Sequence, residues 1–358
     1  MSDLFRIQNT SVPAKSAQSA FTLVELLVAA AVLALLVALL LNMVTQTSKT
    51  WKSTSGKIEE FRGARDSFDA ITRHLQQATL NTYLDYVTNT SGVPIGYQRQ
   101  SQLRFLSGPT MTILSNSLTT TNPTMAVFFQ APNGFSTNSS NSILQNALNT
   151  WGYFIEYASD SNSMPSFVHT KTRNRYRLME LMEPTENLSI YNYTTNASYA
   201  GIDWITNSLA LPSGRPVHVV ADNVIALIIL PKLSPADIST WNSLGSNYTA
   251  ASLASNYTYS SATNQNVSTG DPNLNTHHQL PPDIQVTLIA VDEASAIRFP
   301  SIYQNLASML SPLFTSAASY TNDLQTLQSF LSTNHMNFRV FSTDVMVKGA
   351  KWSGSQTN

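Results

Sequence analysis

The feature that most constrains this chain is an apolar run at Phe21–Val44, with the sequence FTLVELLVAAAVLALLVALLLNMV. Its only plainly polar side chains are Thr22, Glu25 and Asn42. At about 1.5 Å per helical residue the run reaches roughly 36 Å, which is enough to cross a hydrocarbon core of about 30 Å. The run therefore predicts a membrane-spanning helix near the start of a chain of 358 residues.

Glu25 lies inside this run, where a carboxylate costs on the order of 2.5–3.5 kcal/mol and needs a partner. A cut between Ala20 and Phe21 would create a new α-amine one helical turn from Glu25. In an assembly of parallel helices, the carboxylate of one chain could then neutralise the amine of the next. Such a cut also leaves the apolar run on the mature protein, whereas an ordinary secretory signal loses it.

The apolar run starts with a short motif formed by Ala20, Phe21, Thr22, Leu23, Val24 and Glu25. This motif resembles the class III signal of type IV pilins and type II secretion pseudopilins. The resemblance implies that a prepilin peptidase removes residues 1–20 and methylates Phe21, and that Glu25 guides docking of the subunit. Thr22, Leu23 and Val24 would take part in the same assembly contact. The family usually has Gly before the cut and tolerates Ala, which this chain has at position 20.

Segments outside the N-terminus carry a second resemblance. Arg73–Ala78, Val220–Val224 and Leu280–Val286 are similar to segments of minor pseudopilins of the J type. Ala221–Val224 and Leu288–Ala296 are similar to segments of large pilin-like proteins from Verrucomicrobia-type gene cassettes, often called cassette protein C. This resemblance implies a minor subunit with an unusually large head.

The resemblance and the order of elements predict an α+β, pilin-like fold, in which a long N-terminal helix packs on a mostly antiparallel β-sheet head with long polar loops. The predicted domains are a leader at 1–20, a transmembrane and assembly helix at 21–46, an amphipathic helix at 47–87 and a globular head at 88–358. Apolar residues at helical spacing predict the amphipathic part. They are Trp51, Ile58, Phe61, Phe68, Ile71, Leu75 and Ala78.

Short β-like segments separated by polar loops follow from residue 88. Met125–Ala131 begins MAVFF, a continuous apolar run that is typical of a strand buried on both faces. Val217–Leu230 predicts two strands or one bent strand, broken at 221–223. Further strands are predicted at Leu103–Leu106, Trp151–Tyr157, Tyr176–Met182, Ile284–Val291 and Phe338–Lys348. Helices are predicted at Ser301–Leu310 and Asn322–Leu331, and polar loops at Asn133–Asn149 and Asn242–Asn275.

Composition and motifs predict a structural protein that is not an enzyme. A net charge of −1 with 11% charged residues gives no support to nucleic-acid binding. The lack of Cys excludes disulfides, thiolate metal sites and Cys catalysis. No Gly-rich phosphate loop, Ser-His-Asp order or catalytic pair of carboxylates stands out. We therefore predict no catalytic residue and no cofactor.

Two short motifs are candidates for metal binding, and each has a simpler interpretation. The side chains of His277 and His278 would point to opposite sides of an extended loop, which favours a solvated loop over a shared ion. Asp292 and Glu293 could bind calcium together with loop carbonyls. A turn or a helix cap is the favoured interpretation of that pair, and we predict no metal site.

The predicted function is that of a minor pilin or pseudopilin, assembled through its N-terminal helix into a type II secretion-like or type IV pilus-like filament, with the large head at the tip. The expected partners are the prepilin peptidase, other pilins or pseudopilins and the lipid of the inner (cytoplasmic) membrane, with the head in the periplasm or on the cell surface. The alternative is a pilin-anchored adhesin or polysaccharide-binding module. Aromatic residues that could line such a surface, although core packing is the commoner role, are Trp204, Trp241, Tyr248, Tyr257 and Trp352.

Overall fold

The apolar run and the amphipathic segment form one continuous helix, α1, at Leu23–Gln76. The chain divides into two compact units, Met1–Gly56 and Lys57–Asn358. The computed structural model describes residues 22–114, 123–141, 143–163, 167, 172–194, 200–211, 214–264 and 271–352. The first unit contains the N-terminal part of α1, and the second contains the head.

The head consists of strands and short helices along the described residues. The strands are β1 (Tyr83–Thr88), β2 (Pro94–Gln100), β3 (Leu106–Pro109), β4 (Met125–Ala131), β5 (Asn149–Ser159), β6 (Asn174–Glu183), β7 (Val217–Asp222), β8 (Val224–Lys232), β9 (Tyr259–Ser260), β10 (Asp283–Val291) and β11 (Phe338–Met346). The helices after α1 are α2 (Thr110–Leu114), α3 (Ile190–Tyr193), α4 (Asp203–Leu209), α5 (Pro235–Ser243), α6 (Glu293–Arg298), α7 (Pro300–Gln304), α8 (Leu306–Leu310) and α9 (Tyr320–Thr333).

The strands form antiparallel sheets, as the sequence predicted. The largest sheet has the order β7-β6-β5-β4-β3-β9, and a smaller one has the order β11-β10-β8. Strands β1 and β2 pair only with each other, in a separate hairpin. The long N-terminal helix followed by antiparallel sheets confirms the predicted α+β, pilin-like architecture.

Both faces of the large sheet are covered, which explains why every residue of β4 is buried. Val127 and Phe129 face a core that includes β8 and β10 of the smaller sheet. Ala126 and Phe128 face a second core, to which α4 contributes Trp204. Because successive side chains of a strand point to opposite faces, a strand between two cores needs apolar residues at every position. The MAVFF segment therefore has the predicted location.

The C-terminal part of α1 packs against the first of these cores. Phe68, Ile71, Leu75 and Ala78 are buried there, with Phe61 half-buried beside them. A spacing of three, four and seven residues places Phe61, Phe68, Ile71 and Leu75 on one side of the helix, and Ala78 follows two residues after its end. The predicted amphipathic stripe is therefore confirmed for these helical residues, whereas Trp51 is exposed, and the side chain of Ile58 lies outside the described part of the structure.

The predicted end of this helix near residue 87 is wrong, because α1 ends at Gln76. The backbone N–H of Thr79 donates to the carbonyl of Gln130 on β4, which directs the chain along the sheet. Tyr83–Thr88 then forms β1. Tyrosine, valine and threonine favour a strand, and the turn after β1 places Gly92 at φ 77°, a conformation that suits glycine.

The predicted strand at Leu103–Leu106 is also wrong, since β3 begins only at Leu106. In the residues just before β3, backbone N–H groups donate to side-chain amide oxygens. The N–H of Leu103 donates to Oδ1 of Asn81 at 3.0 Å, and the N–H of Arg104 donates to Oε1 of Gln130 at 2.8 Å. These groups therefore have partners without a neighbouring strand.

The segment Val217–Leu230 divides into two strands at Asn223, within the predicted break. Strand β7 belongs to the large sheet and β8 to the smaller one. Asn223 adopts φ 58°, a left-handed conformation that asparagine tolerates better than most residues. The change of direction at this residue passes the chain from one sheet to the other.

Two other predictions need correction. Ser301–Leu310 contains two short helices, α7 and α8, which meet at Asn305. The segment Asn242–Asn275 is not simply a polar loop, because Tyr257 and Tyr259 are fully buried within it. The helix predicted at Asn322–Leu331 is confirmed within α9.

Candidate functional site

The N-terminal end of α1 is closed by a reciprocal contact between Thr22 and Glu25. The backbone N–H and the hydroxyl of Thr22 donate to Oε2 of Glu25 at 3.1 and 2.9 Å. In return, the backbone N–H of Glu25 donates to Oγ1 of Thr22 at 3.3 Å. This is a capping box, in which the first and fourth residues satisfy donors that the helix leaves unpaired. The motif therefore caps the start of the helix and also contains the charged carboxylate of Glu25.

The helix that follows is long and apolar enough to cross a membrane over Leu23–Trp51. Every side chain between Thr22 and Trp51 is exposed. At about 1.5 Å per residue the span is roughly 44 Å long, which exceeds a hydrocarbon core of about 30 Å. An apolar surface of this extent needs lipid or other protein to cover it.

The hydrogen bonds of the capping box do not remove the charge of Glu25. Both groups that reach its carboxylate belong to Thr22 and are neutral. Glu25 is thus a charged residue at the start of an apolar helix, with its cap satisfied and its charge uncompensated in the described part of the chain. Ala20 and Phe21, the residues predicted to flank the cut, lie outside the described residues.

In the head, two of the segments that carry the second resemblance, Val220–Val224 and Leu288–Ala296, meet at Asn223 and Glu293. Nδ2 of Asn223 donates to Oε2 of Glu293 at 2.8 Å, and the hydroxyl of Tyr303 donates to Oδ1 of Asn223 at 2.8 Å. Arg173 and Arg175 form ion pairs with the same carboxylate of Glu293. Burial raises the pKa of Glu293, but the hydrogen bonds from Asn223 and Arg175 and the nearby positive charges hold it below its ordinary value. These motifs thus build a structural junction.

A second polar contact connects α1 to the large sheet. The hydroxyl of Tyr153 donates to Oε2 of Glu180 at 2.7 Å, and Nδ1 of His74 lies 2.6 Å from the same hydroxyl oxygen. Because the tyrosine proton is directed to the carboxylate, the histidine must donate from Nδ1. The ring of His74 also contacts Trp151, at 4.0 Å between centroids. His74 is therefore a packing residue at the helix–sheet contact.

The rings of His277 and His278 lie side by side, 3.7 Å apart, and do not point to opposite sides of an extended loop. The predicted orientation of these side chains is wrong because His278 adopts φ 54°, which turns the backbone. His278 is 1% exposed, and neither of its ring nitrogens has a hydrogen-bond partner among the described residues. Among the described residues, no group of three or more His, Asp or Glu side chains is placed to hold a metal ion.

The head is expected to lose stability below about pH 6.5 because of two buried histidines. Burial lowers the pKa of His74 to about 4, with a smaller effect from Arg73. Burial, together with nearby cations, lowers the pKa of His278 to about 3. The unfolded chain, whose histidines have a pKa near 6.5, then binds more protons than the folded chain. The contribution of the two neutral histidines to stability is complete above about pH 6.5 and is lost as the pH falls towards 3.

The test is the free energy of unfolding between pH 7 and 4 in amine buffers. His278→Asn should flatten the pH dependence, since asparagine tolerates the same backbone conformation. The matched control is His335→Asn, an exposed histidine with φ 53°. Equal slopes for the wild type and His278→Asn would contradict this assignment.

Asp292 and Glu293 already have protein partners. Oδ1 of Asp292 accepts from the N–H of Ser295 at 2.8 Å and caps α6, and Oδ2 accepts from Asn337 at 2.8 Å. Glu293 forms the ion pairs described above. Asp292 is thus a helix cap, in agreement with the favoured interpretation, whereas the role of Glu293 in the junction was not predicted.

The aromatic residues considered for a polysaccharide surface do not form one. Trp204 and Tyr257 are fully buried, and the remaining three pack partly buried against the first core. Those three are Trp241, Tyr248 and Trp352. Exposed aromatic rings occur instead on the β1–β2 hairpin, where Tyr86 and Tyr97 are 56% and 64% exposed and lie 5.0 Å apart. The sequence analysis does not predict this hairpin, because it extends the helix to residue 87.

A comparison with protein-family models finds the Prokaryotic N-terminal methylation motif at residues 15–41. This range includes the predicted cut, the capping box and much of the apolar helix. No curated protein and no solved structure matches the chain. The motif indicates a structural protein of the pilin and pseudopilin class that is processed by a prepilin peptidase and assembles with other pilins. Together with the apolar helix, which is the one candidate membrane span among the described residues, it indicates a membrane anchor.

Proposed function

We propose that this chain is a minor pilin or pseudopilin subunit that enters a filament through its N-terminal helix. In this proposal a prepilin peptidase cuts between Ala20 and Phe21 and methylates Phe21, which releases the leader 1–20. The observation that carries the proposal is the match to the methylation motif at residues 15–41. An exposed apolar helix with one carboxylate in its first turn supports it.

The mechanism of assembly follows from burial of the helix surface. In the membrane, lipid covers the apolar side chains of the segment 21–46. In a filament, neighbouring helices cover the same side chains, so extraction exchanges one apolar environment for another. Glu25 then distinguishes the two states, because a partner's α-amine can neutralise it only in the filament. Thr22 would hold the carboxylate in position, and Leu23 and Val24 would pack beside it.

The finer assignment rests on the head. We propose the J-type or cassette protein C branch, because the Val220–Val224 and Leu288–Ala296 motifs together build the junction around Asn223 and Glu293. We place the subunit at the filament tip, where a bulky head does not crowd a helical shaft. The proposed location is the inner membrane, with the head in the periplasm or on the surface and other pilins as partners. The assembly would be a type II secretion-like or type IV pilus-like filament.

Cross-linking through a single cysteine tests this function without background, since the chain contains no Cys. Leu36→Cys, in the exposed apolar helix, is labelled with a thiol-reactive photo-cross-linker, and the label should cross-link to another pilin-like subunit in the sheared filament fraction. The control adds Ala20→Leu, which puts a bulky residue before the cut and should keep the chain unprocessed in the membrane. The proposal fails if Leu36→Cys gives no such product, or if blocking the cut leaves its yield unchanged.

A further inference from the structure

A cleft of about 280 Å³ in the head has a basic lining. Arg99 enters it from β2, His278 from the segment before β10, and Lys351 from the end of the described chain. Thr79 and Thr82 also line it. None of the described residues that line the cleft is acidic. Its polar side chains are therefore mainly hydrogen-bond donors, two of which carry positive charge.

Where the structure describes the head, these cations are not balanced by carboxylates. Over the described residues, the salt bridges include neither Arg99 nor Lys351. Nη1 of Arg99 donates to Oε1 of Gln279 at 2.8 Å, so a neutral amide fixes the position of the guanidinium. A half-buried cation held by a neutral group retains its attraction for an anion.

His278 gives independent evidence of an incomplete site. It is buried, and both of its ring nitrogens are without a hydrogen-bond partner in the part of the chain that the structure describes. The large majority of buried polar side-chain atoms in folded proteins have one. A neutral imidazole carries one N–H, which could donate to a ligand oxygen in the cleft. The left-handed backbone at His278, φ 54°, holds the ring in this place.

The face of the hairpin next to the cleft is apolar. Arg99 and Tyr97 lie two residues apart on β2 and thus on the same face. Tyr86 is opposite Tyr97, and Leu84 is opposite Arg99. All three apolar side chains are exposed. A ligand anchored by a negative group in the cleft could therefore place an apolar or ring-shaped body on this face.

We propose that this cleft binds an oxyanion group, a carboxylate or a phosphate. Arg99 and Lys351 supply the positive charges, and His278 and the two threonine hydroxyls supply further donors. Two sources share this chemistry, an inorganic phosphate ion and the carboxylate of an acidic sugar whose ring rests on Tyr97. The described residues that line the cleft all belong to the second unit, Lys57–Asn358.

The test is a titration of the full-length protein in detergent, followed by calorimetry at constant ionic strength. The probes are sodium phosphate, D-galacturonate and, as the neutral control, D-galactose. Saturable binding is expected for at least one of the two anions and not for galactose. Arg99→Gln should weaken the binding by at least about tenfold, since hydrogen bonds to charged groups are the stronger kind. Lys351→Gln should weaken it by about threefold, because Lys351 is exposed and its charge is screened.

Lys348→Gln is the matched control, since Lys348 is an exposed lysine of the same segment that does not line the cleft. Galacturonate binding that is weakened by Tyr97→Ala, with phosphate binding unaffected, would identify the acidic sugar as the source. Binding of phosphate alone would identify the inorganic ion. The proposal is overturned if neither anion binds saturably, if galactose binds as well as the anions, or if Lys351→Gln behaves as Lys348→Gln does. If Arg99→Gln does not fold, the comparison of Lys351→Gln with Lys348→Gln alone tests the proposal.

Discussion

Replacement of Glu25 by valine is expected to abolish incorporation into filaments and to leave membrane insertion and cleavage intact. Valine suits the apolar run, so the helix should still enter the membrane. Two unit charges about 4 Å apart interact by about 4 kcal/mol at an effective dielectric constant of 20. Loss of the pair with a neighbour's α-amine then reduces the assembly equilibrium by roughly three powers of ten. Immunoblots of sheared filaments and of membranes measure both effects.

A second substitution at this position separates the charge from the helix cap. Glu25→Gln removes the charge, but glutamine can still complete a capping box with Thr22. We expect Glu25→Gln to assemble as poorly as Glu25→Val. Asn42→Val, which replaces another polar residue of the run, should assemble normally. Normal assembly of Glu25→Gln would mean that the cap matters and that the proposed ion pair does not.

Asn223→Ala is expected to be the most destabilising of the single substitutions considered in the head. It removes the hydrogen bonds to Glu293 and Tyr303, both at 2.8 Å, and leaves the buried hydroxyl of Tyr303 without this acceptor. Lost hydrogen bonds of this kind cost about 1–3 kcal/mol each. Alanine also tolerates φ 58° poorly, at a cost of about 1 kcal/mol. We expect the free energy of unfolding to fall by about 4 kcal/mol in total.

Asn223→Gly separates the two causes, since glycine adopts the left-handed conformation freely but makes no side-chain hydrogen bond. It should lose about 1 kcal/mol less than Asn223→Ala. Denaturant unfolding of the full-length protein measures this difference in the free energy of unfolding, provided that both variants show the same dependence on denaturant concentration. Wild-type stability of Asn223→Ala would show that the junction is not required to hold β7 and β8 in their two sheets.

The elements that the sequence predicted correctly have local signals. The MAVFF segment needed two apolar environments, and both exist on the two faces of the large sheet. The break at Asn223 was visible because polar residues interrupt an apolar run. The N-terminal motif could be recognised because a carboxylate in an apolar helix needs a partner. In each case the residue pattern itself carries the information.

The elements that the sequence missed depend on partners far along the chain. The backbone of Leu103 and Arg104 is bound by the side chains of Asn81 and Gln130, which no local pattern predicts. Tyr257 lies in a polar segment, yet tertiary packing buries it. The basic cleft combines Arg99, His278 and Lys351 from three distant segments. No local pattern links these three segments, and only the fold brings them together.

The central claim is that the chain is a processed pilin-class subunit, and the N-terminus of the mature protein tests it most directly. The measurement is the intact mass and N-terminal sequence of the protein isolated from its native membrane. We predict a chain that begins at N-methylated Phe21 and retains the apolar helix. A chain that still begins at Met1, or one that begins beyond Val44 with the helix discarded, would contradict the claim.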